Sequence, residues 1–129
     1  MPGIRTAPGR KKSISPVFSI KNDKEFLKQA LVLFKEQYET NQVYGDWVRG
    51  MKKDPSNVKT LEEIPFLPIR FFKSHDVICG NSSPLDTLFL SSGTTGMERS
   101  KHRVKEVSIY ETSFRTCFRR FYGDPEQYA

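Results

Sequence analysis

Ser91-Ser92-Gly93-Thr94-Thr95-Gly96 is the run of residues whose types could do chemistry. No side chain in it is larger than threonine, so the backbone can come close to a ligand. Glycines at 93 and 96 permit positive φ, which lets consecutive N–H groups converge on an anion. The hydroxyls of Ser91, Ser92, Thr94 and Thr95 add donors that can follow phosphate oxygens. Lys101, with Arg99 and Arg103 nearby, can supply compensating charge. These are the properties a polyphosphate site requires. The chain contains no Gly-Lys-Ser/Thr, so the loop is not a Walker A motif. It also lacks G-x-G-x-x-G, which excludes a dinucleotide fingerprint. On composition alone a plain Ser/Gly/Thr hairpin turn competes with the phosphate reading.

The loop must be held by what flanks it. Residues 85–90, Leu-Asp-Thr-Leu-Phe-Leu, predict a mostly apolar strand that is buried, and residues 101–105 a returning strand. Asn22 followed by Glu25 resembles a capping box. Behind it Leu27, Ala30, Leu31, Phe34 and Tyr38 recur at helical spacing, which predicts an amphipathic helix over 23–40. A shorter helix follows, with Tyr44, Trp47, Val48 and Met51 on one face, and Asp54-Pro55 ends it. Pro65 and Pro68 forbid a regular helix or a central strand across the apolar stretch 61–72. That stretch is expected to run extended and pack its aromatics on a neighbouring layer. Residues 76–79 predict a short strand closed by Gly80-Asn81. Val107, Tyr110, Phe114, Cys117, Phe118 and Phe121 share one face of a last helix over 107–122, stopped by Gly123-Asp124-Pro125. Amphipathic helices packed on a small sheet give an α/β or α+β fold class.

With 129 residues the chain fits one domain of ordinary size. Its net charge of +6 is concentrated at the start. Arg5, Arg10, Lys11 and Lys12 have no acid among them, and residues 16–129 balance to +2. Residues 1–15 therefore read as a disordered basic extension, and residues 16–129 as the folded part. No apolar run is long enough to cross a bilayer, and no signal-peptide pattern is present, which points to the cytoplasm. Two cysteines, Cys79 and Cys117, cannot make a disulfide framework or a CxxC zinc site. Cys117 lies on an apolar stripe and is expected as a core thiol. His75 and His102 are the two histidines; no metal site is expected from them. His102 is the nearer to the loop and stands with Lys101 as a catalytic candidate, whereas His75 fits a hydrogen-bonded turn. Trp47, Phe71 and Phe72 read as packing residues. Arg115, Arg119 and Arg120 read as a solvated helix face, so nucleic acid is not the expected partner.

Phe18-Ser19-Ile20, Ile64-Pro65-Phe66-Leu67-Pro68-Ile69, Phe71-Phe72-Lys73-Ser74-His75, the loop, and Ser100-Lys101-His102 occur in that order. In this combination the chain resembles the acyl-protein synthetase (LuxE-type) family of the AMP-forming acyl/aryl-CoA synthetase superfamily, over about residues 17–129. The resemblance implies ATP-dependent activation of a carboxylic acid, a fatty acid in the best-known members, followed by transfer to an acyl-accepting protein or thiol. It implies that Ser91, Ser92, Gly93, Thr94, Thr95 and Gly96 line the ATP phosphates, that Lys101 is the basic residue after the loop, and that Mg²⁺ bridges phosphate oxygens. Met97-Glu98-Arg99 stands where the superfamily commonly has Pro-Lys. Family members are longer, so the chain is expected to be the N-terminal segment of a ligase. It should need the remainder of the ligase chain, and it should not turn over alone.

Overall fold

The computed structural model describes residues 16–93 and 98–128. The expected basic extension over 1–15, and Thr94, Thr95 and Gly96 of the loop, lie outside the described residues. Among the described residues the architecture is α+β: helices with one two-stranded antiparallel sheet.

Helix α1 (Asp23–Thr40) opens on the capping box read from the sequence. Asn22 Oδ1 accepts from the Glu25 N–H at 3.0 Å, and the Glu25 carboxylate accepts from the Lys21 N–H at 2.9 Å. Asn41 both closes α1 and opens α2 (Gln42–Gly50). Its N–H donates to the Gln37 carbonyl, and its Oδ1 accepts from the Tyr44 N–H. Because one residue joins the helices, α2 folds back hard on α1. A Cβ at Gly45 would sit 2.5 Å from the Tyr38 carbonyl oxygen, so only glycine allows this approach. The junction brings Phe34 and Tyr44 edge to face at 6.1 Å. With Val48 and Val58 they form the buried core, which Leu31, Trp47, Ile64 and Leu67 extend.

Residues 58–70 form no regular helix or strand, but the stretch 61–72 does not simply run extended as expected: turns interrupt it, Phe71 and Phe72 enter a short helix once Pro68 is passed, and Phe66 is exposed rather than packed. Two aromatic side chains of α2 strap this segment down. Tyr44 donates its hydroxyl to the Pro65 carbonyl at 2.7 Å, and the Trp47 indole donates to the Phe66 carbonyl at 3.0 Å. The segment leads into α3 (Phe71–Ser74), where Phe71 packs against Trp47 with ring centroids 5.4 Å apart.

The expected strand over 76–79 does not form. Among the described residues no strand pairs with it: Asp76 reaches β2 through its side chain, and the backbone returns to α1, where the Gly80 N–H donates to the Thr40 carbonyl at 2.7 Å. The next segment forms the expected hairpin, with β1 (Thr87–Leu90) antiparallel to β2 (Lys101–Val104). β1 starts two residues later than expected and is exposed along its whole length rather than buried, with Leu90 at 51 %. A two-stranded ribbon has no second layer to cover that face. Helix α4 (Val107–Tyr122) has the expected bounds and ends at Gly123, whose φ of +85° few other residues would adopt. Tyr110 of α4 meets Phe89 of β1 at 5.3 Å. Phe118 is half-buried against Tyr122 and Tyr128, but much of the stripe is open: Phe114 is 50 % exposed, and Cys117 is exposed rather than a core thiol.

Candidate functional site

Hairpin pairing sets the neck of the candidate phosphate loop. Leu90 lies opposite Lys101, so Ser91 and Ser100 are the first residues beyond the ladder. The Ser91 N–H donates to the Ser100 carbonyl at 3.0 Å. In return the Ser100 N–H donates to the Ser91 hydroxyl oxygen at 2.9 Å. Ser100 is 8 % exposed, so this bond satisfies an amide that water barely reaches. Ser91 thus pins the neck, while Ser92 is exposed and Gly93 half-buried at the entry to the loop.

Lys101 is exposed at the start of β2. Alternation along a strand puts Lys101 and Arg103 on one face of the ribbon and His102 and Val104 on the other. His102 is half-buried, and its ring stacks on Phe72 at 4.6 Å with 25° between planes. On the opposite face Arg103 Nε bonds the Asp76 carboxylate at 3.1 Å. His75 stands apart from the loop in a turn, with Nδ1 2.8 Å from the Ser74 hydroxyl and its ring against Phe71. Lys101 and His102, the two catalytic candidates, therefore leave β2 in opposite directions. Sequence reasoning overlooked Asp76, which it assigned to a strand. Nothing local marks its partner, 27 residues further on.

The small side chains and hydroxyls at Ser91 and Ser92, with the Lys101 ammonium following the neck, are a donor set that fits a polyphosphate. Among the described residues no three His, Cys, Asp or Glu side chains come together. The described residues thus offer no side-chain cage for a metal ion.

A cavity of about 550 Å³ opens between α1 and residues 61–67. Its walls are apolar and include Phe26, Leu33, Phe34, Ile64 and Phe72. Tyr44 on the same wall spends its hydroxyl on Pro65, and Asn41 spends its amide on Gln37. Phe72 is shared: it lines the cavity and stacks on His102. Among the described residues no helix is long and apolar enough to cross a membrane.

The motifs on this frame can be set beside known proteins. No solved structure matches the chain. A Photorhabdus luminescens protein named long-chain-fatty-acid–luciferin-component ligase is 28% identical over 88 residues, which are 67% of this chain and 75% of that relative. The description acyl-protein synthetase, LuxE, matches residues 13–116, a span that holds the capped first helix, the strapped proline segment, α3 and the entire hairpin. A match over that much of the molecule places the chain in the acyl-protein synthetase (LuxE) family.

Proposed function

We propose that the chain carries the phosphate-gripping part of an enzyme that activates a carboxylic acid with ATP. In this reaction a carboxylate oxygen bonds to the α-phosphorus while the bond from that phosphorus to pyrophosphate breaks. The acyl carbon of the acyl-adenylate then bonds to a protein or thiol nucleophile as its bond to the AMP oxygen breaks and AMP leaves. The loop 91–96 holds the β- and γ-phosphates, and its N–H groups and hydroxyls meet the charge that grows on departing pyrophosphate. Donors fixed beforehand need no rearrangement as that charge develops. Lys101 adds a cation at the exit of the loop. Mg²⁺ accompanies the nucleotide. Residues 16–129 contribute the phosphate-gripping part, and the basic extension 1–15 takes no part in nucleotide binding.

The observation that carries this reading is the neck: Ser91 and Ser100 exchange two hydrogen bonds in a member of a ligase family, leaving the loop anchored and small. A long-chain fatty acid is the substrate class this reading takes, supported by the name of the Photorhabdus luminescens relative. The apolar cavity beside Phe72 supports it, since about 550 Å³ lies within the usual range for a small-molecule site. Thr94→Val with Thr95→Val tests the reading. Calorimetric affinity for Mg·ATP and for pyrophosphate should fall together while the fold is retained. Unchanged affinity, or binding that disappears on deleting residues 1–15, would overturn it in favour of a site elsewhere or a nonspecific basic tail.

A further inference from the structure

We infer that Phe72 and Asp76 are positioning residues for the phosphate loop, gripping β2 from its two faces and fixing its roll. The inference rests on the phosphate reading of residues 91–96 and adds what holds that loop in place.

A two-stranded ribbon is marginal on its own and needs packing from elsewhere. Exposed β1 supplies little of it. The support comes through β2, on which α3 packs. Consecutive strand residues point to opposite faces, so His102 and Arg103 reach out on opposite sides of β2. His102 is met by Phe72 at 4.6 Å and Arg103 by Asp76 at 3.1 Å. Both partners belong to one short piece of chain, α3 and the residues just after it. That piece is itself tied to the core through Phe71 on Trp47. One contact alone would leave the strand free to rotate about its axis; two contacts on opposite faces do not. Lys101 shares a face with Arg103, so the roll of β2 decides where the Lys101 ammonium points. The Phe-Phe-Lys-Ser-His-Asp run thereby gains a role: its aromatic side holds the histidine and its acid holds the arginine.

The test compares the full chain with Asp76→Asn and with the exchanged pair Asp76→Arg/Arg103→Asp. Two quantities are read: amide hydrogen exchange at residues 100–104, and affinity for Mg·ATP. A partly exposed ion pair predicts about two- to fivefold faster exchange in Asp76→Asn, a matching loss of affinity, and recovery of the exchange protection in the exchanged pair. Exchange over α1 and α2 should not change. Unaltered exchange at 100–104 in Asp76→Asn overturns the clamp, as does a pair variant that exchanges faster there than the single one. Faster exchange with wild-type affinity overturns the positioning role. A wild-type chain that binds no ATP sinks the phosphate reading instead, while exchange still judges the clamp.

Discussion

Ser91→Ala removes one oxygen from the neck of the loop, and its consequences can be worked through. The Ser91 N–H to Ser100 carbonyl bond at 3.0 Å survives, since it is backbone to backbone. The Ser100 N–H loses its acceptor 2.9 Å away, in a residue only 8 % exposed. An amide stranded in that way costs about 1–3 kcal/mol. The hairpin shares little of the Phe34–Tyr44–Val48 core, so the cost should appear as local opening of the neck and leave the melting of the helical unit in place. At about 1.4 kcal/mol per factor of ten, the Ser100 amide should exchange roughly five- to 150-fold faster. Mg·ATP affinity should fall in the same direction, because the loop must be re-ordered on binding. Ser91→Thr keeps the hydroxyl and should restore most of the protection. Native-state hydrogen exchange resolves the difference directly. If Ser91→Ala leaves the Ser100 amide as protected as before, the neck is not held by the hydroxyl and the reasoning fails.

Gly45→Ala should destabilise by about 1–3 kcal/mol in a thermal or urea melt. Alanine gains about 1 kcal/mol of helix propensity, but its methyl would lie 2.5 Å from the Tyr38 carbonyl oxygen. Tyr44→Phe should cost about 1–3 kcal/mol, because the buried Pro65 loses its 2.7 Å donor; urea titration reads it. Burial also raises the Tyr44 hydroxyl above its ordinary value of 10.0. The folded state therefore resists ionisation more than the unfolded chain, and stability should decline as pH climbs past that value in wild type and less in Tyr44→Phe. At the acid end, Asp54 is lowered by hydrogen bonds from Ser56, and Glu63 by the N–H groups of Lys59 and Thr60. Both contribute stability above the ordinary carboxylate range and lose it as pH falls through their lowered values. An acid titration of wild type against Glu63→Gln, followed by circular dichroism, should show a shallower loss in the variant.

Helices announced themselves in the residues. The Asn22–Glu25 cap and the stripe through Leu27, Leu31, Phe34 and Tyr38 are local, and α1 has the bounds they predict. The same holds for α4, whose end is written in Gly123-Asp124-Pro125. Pro65 and Pro68 kept residues 61–70 free of regular structure but did not stop Phe71 and Phe72 from entering a helix, and nothing local showed that Tyr44 and Trp47 would bind the carbonyls of Pro65 and Phe66. The failures concern partners. Leu-Phe-Leu in β1 is apolar enough for a buried strand, yet burial depends on what covers it, and here the face stays open. Residues 76–79 have strand-like types, but a strand needs a neighbour, and the chain turned to α1 instead. Of the candidate site, the Ser/Thr/Gly run and the return strand could be read directly, since small residues between two extended segments are a local pattern. Phe72 on His102 and Asp76 on Arg103 could not, because pairs so distant in sequence leave no periodic trace.

Amide chemical-shift mapping of the chain during titration with pyrophosphate, then with Mg·ATP, tests the central claim most directly. The account predicts that the largest and saturable displacements fall on the amides of residues 91–96, with smaller ones at Lys101 and His102. Saturable binding whose displacements leave residues 91–96 untouched would contradict it.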